Sequence, residues 1–328
     1  MQAGGNMKIA ISIPVHEKID VIRDQIENIQ KFIKCPVIVL HVSASFGELE
    51  KLEKELSAYQ NVYINPEHLK TGWADIIHTH LSNFRFLSAQ TEFDYFVMHS
   101  SNDMYVRKDM ESYIGRYEAG FNIRKVTCSN RHWWPGYAAL RDPALKALMA
   151  ACGQTMVIAS QIEGSFYSYD LMKKIADLIG CYYEREEGEE KYTREEVYFS
   201  TVASSLVKWE NCGKPTTYSE VHRFDRILWK IQDKGRRIHR HVRWFIPQKA
   251  YDKFEVKCND LLFQSRFYKI RTGLVKKIVI QDKKCIDKNR YLNDGSGTFQ
   301  LYDGTEVFSV KRVEREYNNR VRQYIRNL

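Results

Sequence analysis

The sequence predicts an α/β protein built on a mainly parallel central sheet with helices on both faces. Three observations lead there. Short apolar runs alternate with helix-periodic segments through the first hundred residues. The runs are near-continuous rather than alternating, as in strands covered on both sides. Each run ends in a polar turn, where open sheets of this kind place their ligands.

The elements follow in order. Lys8–Val15 reads as a strand, and Ile19–Ile33 as a helix with Ile19, Ile22, Ile26, Ile29 and Ile33 on one face. Val37–Val42 is a second strand, Phe46–Gln60 a helix and Val62–Ile64 a short strand. Ala74–Ala89 is helical, and Asp94–His99 is a strand running into Ser100–Asp103. The strand ends place His16-Glu17-Lys18, Ser43-Ala44-Ser45 and Ser100–Asp103 as candidates by position. The middle third mixes short strands with helices over Asp142–Ala151, Asp170–Ile179 and Thr193–Ser205. The Asp-Gly pairs at 294–295 and 303–304 predict one or two hairpins within Tyr291–Val313. A charged helix over Glu314–Asn327 follows, expected to present a solvated face. The division expected is a main domain over 1–272 and a hairpin-and-helix appendage over 273–328 that packs on it.

Hydrophobic residues make up 44% of the 328 positions, enough for a sizeable core and against global disorder. The net charge of +9 points to an anionic partner, whether nucleic acid, membrane surface or phosphorylated substrate. The seven cysteines are odd in number and include no C-x-x-C pair, so neither a zinc site nor a disulfide framework is expected. No apolar run reaches the ~20 residues of a membrane span. The N-terminus lacks the basic and apolar regions of a signal peptide. The expectation is a cytoplasmic chain, peripheral at most on the inner membrane face.

Several chemistries lack their motifs. There is no G-x-G-x-x-G after the first strand, no P-loop, no H-E-x-x-H and no nucleophile elbow. There is no D-x-D at a strand end to carry a divalent metal; Asn102-Asp103 offers one carboxylate. A diphosphate leaving group would then need fixed cations, and arginine forks suit phosphate oxygens. The basic region after Arg223 offers them. Thr193 and Glu196 have capping-box spacing at a helix start, so Glu196 is either a cap or a general base facing the strand ends. Trp133-Trp134, followed at once by Pro135-Gly136, reads either as an exposed aromatic loop or as core.

Taken in order, these segments resemble the core-2/I-branching β-1,6-N-acetylglucosaminyltransferases and their xylosyltransferase relatives, glycosyltransferase family 14. The resemblance is carried by ISIPVHEKIDVIRDQIENI, Leu40-His41-Val42-Ser43, Trp73 before a helix, and the strand entering Ser100–Asp103. Glu163–Ser168, Tyr192–Val202, His241-Val242-Arg243 and Leu262–Phe267 continue it. It implies a GT-A-like fold of bacterial type and inverting transfer from a UDP-sugar of the GlcNAc or xylose class to a glycan or glycolipid hydroxyl. It implies Glu196 as catalytic base, and Arg243, Arg266 and Lys269 on the diphosphate in place of a metal, so no cofactor is expected. The nucleotide would meet Pro14, His16, Val42, Ser43, Trp73 and Asp103. The acceptor would meet Trp133, Trp134, Glu163 and Ser165. Ser43 stands where the family has Asp, and Arg266 where it has Lys. The basic surface would also suit an anionic membrane. A second class remains open. The basic region 223–290, with its interleaved cations and aromatics over 222–244, also fits a nucleic-acid-binding surface, whereas the enzyme reading involves no nucleic acid.

Overall fold

The computed structural model of the chain describes residues 7–72, 74–127, 138–185, 192–218, 234–262, 268–280 and 306–328. The expected α/β architecture is present. The central strands are β1 (Ile9–Val15), β2 (Pro36–Val42), β3 (Val62–Ile64) and β4 (Tyr95–Met98). All four are parallel, in the spatial order β4-β1-β2-β3. β9 (Phe166–Ser168) joins β4 antiparallel and carries β6 (Ala119–Gly120) and β10 (Cys212–Gly213) beyond it.

Helices cover both faces because the side chains alternate. Ile9, Ile11, Ile13 and Val15 of β1 join a core with α1 (Ile19–Phe32), α2 (Leu49–Leu56) and α4 (Met110–Ile114). Ala10 of β1 and Val39 of β2 face the opposite core, built with α3 (Ile77–Gln90), α5 (Pro143–Ala151), α6 (Tyr169–Tyr182) and α7 (Glu195–Leu206). The strand and helix positions read from the sequence hold to within a few residues at their ends.

α1 also has a buried polar side that shapes the functional end. Asn28 donates from Nδ2 to the Tyr105 carbonyl at 2.9 Å and accepts from the Tyr105 amide at 2.7 Å. Its side-chain amide thereby imitates a neighbouring strand for β5 (Met104–Tyr105). Gln25 donates from Nε2 to the carbonyls of Ser100 and Asp103, which ties down the turn after β4.

The last residues differ most from expectation. β12 (Ser309–Val310) lies between β11 (Thr217–Tyr218), parallel to it, and β5, antiparallel to it. Val310, Val313, Val321 and Ile325 form a third core with Met104, Val106, Tyr218, Val275 and Ile278. The boundary expected at 272/273 therefore falls inside α9 (Tyr268–Val279), whose residues enter this same core. The hairpin turns expected near 294 and 303 lie outside the described residues, and Ser309 and Val310 pair with distant strands. The C-terminal helix is α10 (Arg320–Arg326), shorter than the sequence implied. It is not a solvated face: Arg322 is fully buried, with Nη1 2.6 Å from Asp24 Oδ2 of α1.

Candidate active site

Beyond the carboxyl ends of β1 and β4 lies a cleft of about 640 Å³, within the size range of small-ligand sites. Pro14 and His16 from the end of β1, the turn Ser100–Asn102 after β4 and the segment around Gly72 form one part of its wall. Glu163, Thr193, Glu195 and Glu196 form another, and Lys311, Arg312 and Arg315 a third.

Glu196 stands in the first turn of α7, where the positive helix end favours a carboxylate. The expected capping box is not formed. The N-cap is Arg194, without a side-chain cap, and the Thr193 hydroxyl donates to Glu196 Oε2 at 3.2 Å. Glu196 lines the cleft. Its backbone is fixed from two sides, by a Ser160 amide donating to the Glu196 carbonyl at 2.8 Å and by the Thr193 carbonyl accepting from the Glu196 amide at 3.2 Å.

Asp142 anchors the approach to this helix. Its Oδ2 accepts from the Tyr192 and Tyr198 hydroxyls at 2.6 and 2.9 Å and meets Arg194 Nε at 3.4 Å. Burial opposes its ionisation, but the two tyrosine hydrogen bonds, the Leu145 amide and Arg194 together outweigh it and hold its pKa below the usual carboxylate value.

Glu163 and Lys311 form a buried pair, Nζ to Oε2 at 2.7 Å. Burial works against both charges. At Glu163, Lys311 with smaller contributions from a backbone hydrogen bond and Arg312 outweighs burial and holds the pKa of that carboxyl below its usual value. At Lys311, Glu163 with a smaller contribution from Glu196 outweighs burial and holds the pKa of the ammonium above its usual value. Glu163 is thus held as a counter-ion, a role distinct from the acceptor contact expected of it. Glu17, also buried, accepts from the Ser101 hydroxyl and pairs with Arg315 Nε at 2.9 Å. Burial chiefly lowers the pKa of His16, with Arg315 adding to the effect and Glu17 opposing it, which favours the neutral imidazole near pH 7.

Arg312 has φ of +62°, in the left-handed region that a side chain with a Cβ occupies at a cost of order 1–3 kcal/mol. Three hydrogen bonds hold the chain there. The amides of Lys311, Arg312 and Val313 donate to the Tyr218 carbonyl, Asp103 Oδ1 and the Asn102 carbonyl at 3.1, 3.1 and 2.8 Å.

Of the site residues expected from sequence, Pro14, His16, Glu163 and Glu196 come together in the cleft. Asp103 does not line it. It is fully buried, with Oδ1 on the Arg312 amide and Oδ2 on the Ser100 amide at 3.1 Å, so it shapes the wall from behind. Burial first, then the Glu163 charge, raise its pKa. Ser43 is buried, accepting from the Thr71 amide at 3.2 Å and meeting Ser45 Oγ at 3.0 Å. Ser45, not Ser43, reaches the cleft. Val42 points into the α1 core because strand side chains alternate. Ser165 donates its hydroxyl to the Gln161 carbonyl at 2.7 Å and is a buried structural contact. Arg243 is exposed, its guanidinium 6.0 Å from the Trp244 ring centroid, and does not line the cleft. Trp73, Trp133, Trp134 and Arg266 lie outside the described residues, as does the side chain of Lys269.

The sequence did not single out Lys311, Arg312, Arg315 or Glu195, whereas Glu17 was a candidate by its position at a strand end. The signal for the cations was a Lys-Arg pair directly after the short run Val307–Val310, with Arg315 three residues on. It was outshone by the denser basic stretch before it. Among the described residues, no group of three His, Cys, Asp or Glu side chains is arranged to hold a metal ion.

No family model matches the chain, and no curated protein matches it. Among solved structures, it is similar to a mannosyltransferase from Pyrobaculum calidifontis in complex with GDP-mannose and Mn2+, at 13% identity and a TM-score of 0.32. That match covers 51% of this chain and 46% of the other. It is also similar to S. aureus TarS 1–349 in complex with UDP, at 13% identity and a TM-score of 0.33, over 51% of this chain and 48% of the other. The chain thus spans about half the length of each of these two structures.

Proposed function

We propose that the chain is a GT-A-like glycosyltransferase that moves a sugar of the GlcNAc or xylose class from a UDP-sugar to a glycan or glycolipid hydroxyl, with inversion and without a divalent metal. The observation that carries the reading is the carboxylate of Glu196, set at a helix start in a cleft beyond the parallel strand ends and sharing that cleft with three cations. In the proposed step the acceptor oxygen attacks the anomeric carbon from the face opposite the diphosphate. Its proton passes to Glu196 as the new C–O bond forms. The bond from the anomeric carbon to the diphosphate oxygen breaks, and its electron pair leaves with that oxygen. Base catalysis of this kind contributes roughly 10²–10⁴-fold. Fixed cations stabilise the departing charge, the task a metal performs in other transferases. The sequence offers Arg243, Arg266 and Lys269 for it; the cleft itself offers a different set, taken up below. The exposed Trp244 and Phe245, beside Arg240 and Arg243, would suit peripheral contact with an anionic membrane carrying a glycolipid acceptor.

The test is Glu196→Gln. Affinity for UDP, read by calorimetry, should stay within about twofold of wild type, while turnover of candidate UDP-sugars falls by roughly 10²–10⁴-fold. Unchanged turnover removes Glu196 as the base. Turnover should also survive excess chelator, and a strict metal requirement would overturn the metal-independent part of the proposal.

A further inference from the structure

We propose that Lys311, Arg312 and Arg315, supplied by the segment that follows β12, form the diphosphate-binding wall of the cleft. This rests on the nucleotide-sugar reading above and reassigns its cations. All three side chains line the cleft that holds Glu196. They are fixed in advance rather than recruited. Lys311 is 6% exposed and locked on Glu163 at 2.7 Å. Arg312 takes a left-handed backbone, clamped by the turn after β4 through Asp103 and Asn102. Arg315 lines the cleft and is held by Glu17 through Nε at 2.9 Å. A guanidinium has five N–H donors, and phosphate oxygens accept them in pairs.

Two features argue for an anion rather than for simple internal pairing. A non-glycine residue held at positive φ by three hydrogen bonds is a strained arrangement, of the kind that clusters at ligand sites. The whole segment is also placed by long-range contacts: β12 pairs with β5 and β11, and α10 docks on α1 through Arg322 and Asp24. A region that begins as an apparent appendage is thereby built into the wall of the cleft that holds Glu196. Preorganised donors of this kind stabilise charge developing on a leaving group without reorganising during the reaction.

The experiment titrates UDP, uridine and inorganic pyrophosphate into wild type, Arg312→Gly, Arg315→Gln and Arg243→Ala, with thermal melts to confirm folding. Glycine accepts the left-handed backbone, so Arg312→Gly removes the guanidinium without adding strain. Each of the first two variants should weaken UDP and pyrophosphate binding by about tenfold or more and leave uridine binding unchanged. UDP affinity unchanged in both, or a loss confined to Arg243→Ala, overturns the assignment while the transferase reading stands. Wild type that binds pyrophosphate through these residues yet transfers no sugar keeps the anion site and sinks the transferase reading. Wild type that binds neither UDP nor pyrophosphate overturns both.

Discussion

Asp142 shows how one side chain serves two neighbours. Its Oδ1 accepts from the amides of Ala144 and Leu145 at 2.9 and 3.3 Å, the N-cap of α5, with Pro143 in the first turn. Its Oδ2 gathers Tyr192, Tyr198 and Arg194 around the start of α7. Asp142→Ala removes a cap worth ~1 kcal/mol and leaves two buried hydroxyls without their acceptor, at about 1–3 kcal/mol each. The expected outcome is a clear drop in melting temperature. It comes with a fall in kcat larger than the change in donor KM, because Glu196 loses its setting while the cation wall is untouched. Asp142→Asn should recover part of both. A melting temperature equal to wild type in Asp142→Ala would refute this role. The helix start was legible in the sequence at Thr193–Glu196. Its geometry was not, because the same spacing allows the carboxylate to cap the backbone or to face outward.

At the scale of elements, the joint between α1 and α10 decides where the C-terminal segment goes. Arg322 and Asp24 are both fully buried, and Arg326 Nε adds a second contact to Asp24 at 3.3 Å. Breaking such a pair on one side leaves an uncompensated charge in the core. Arg322→Met and Asp24→Asn are each expected to cost about 3–5 kcal/mol in chemical denaturation. The double variant should cost less than the sum, because each partner then lacks the charge that needed it. Additive single effects would show that the two residues act independently. α1 itself was plain from its isoleucine spacing. The burial of its polar side was not, since Asp24, Gln25 and Asn28 are covered only by the turn after β4, β5 and α10, which are distant in the chain.

For the molecule as a whole, four buried histidines near the functional end of the sheet set its response to acid. Burial holds His41, His78 and His99 down to about 4 and His80 to about 3. The unfolded chain takes up these protons near pH 6.5. As pH falls below that value the unfolded state binds protons that the folded state refuses. The stability these histidines contribute is therefore complete above about pH 6.5 and is lost as pH falls toward the folded values, while Asp103, whose pKa burial raises, opposes the trend by about one proton. Each histidine costs about 2 kcal/mol between pH 7 and 5. The melting temperature should drop steeply over that window, and His78→Gln should shallow the slope by about one proton. A flat profile from pH 7 to 5 would contradict this account.

The sequence by itself determined the class of fold. Near-continuous apolar runs between amphipathic helices have few ways to bury themselves other than a covered parallel sheet. It also pointed to the strand ends, where a cleft lies, and four residues named from the sequence, Pro14, His16, Glu163 and Glu196, line that cleft. Only the tertiary structure decided which cations face Glu196. Charge density along the chain favoured the stretch around Arg243, yet that residue is exposed outside the cleft, whereas Lys311, Arg312 and Arg315 reach it through the pairing of β12 with β5 and β11. Those contacts span more than ninety residues on one side and more than two hundred on the other. No local pattern encodes them, because the free energy that fixes them comes from burial and hydrogen bonds formed only when the distant strands meet.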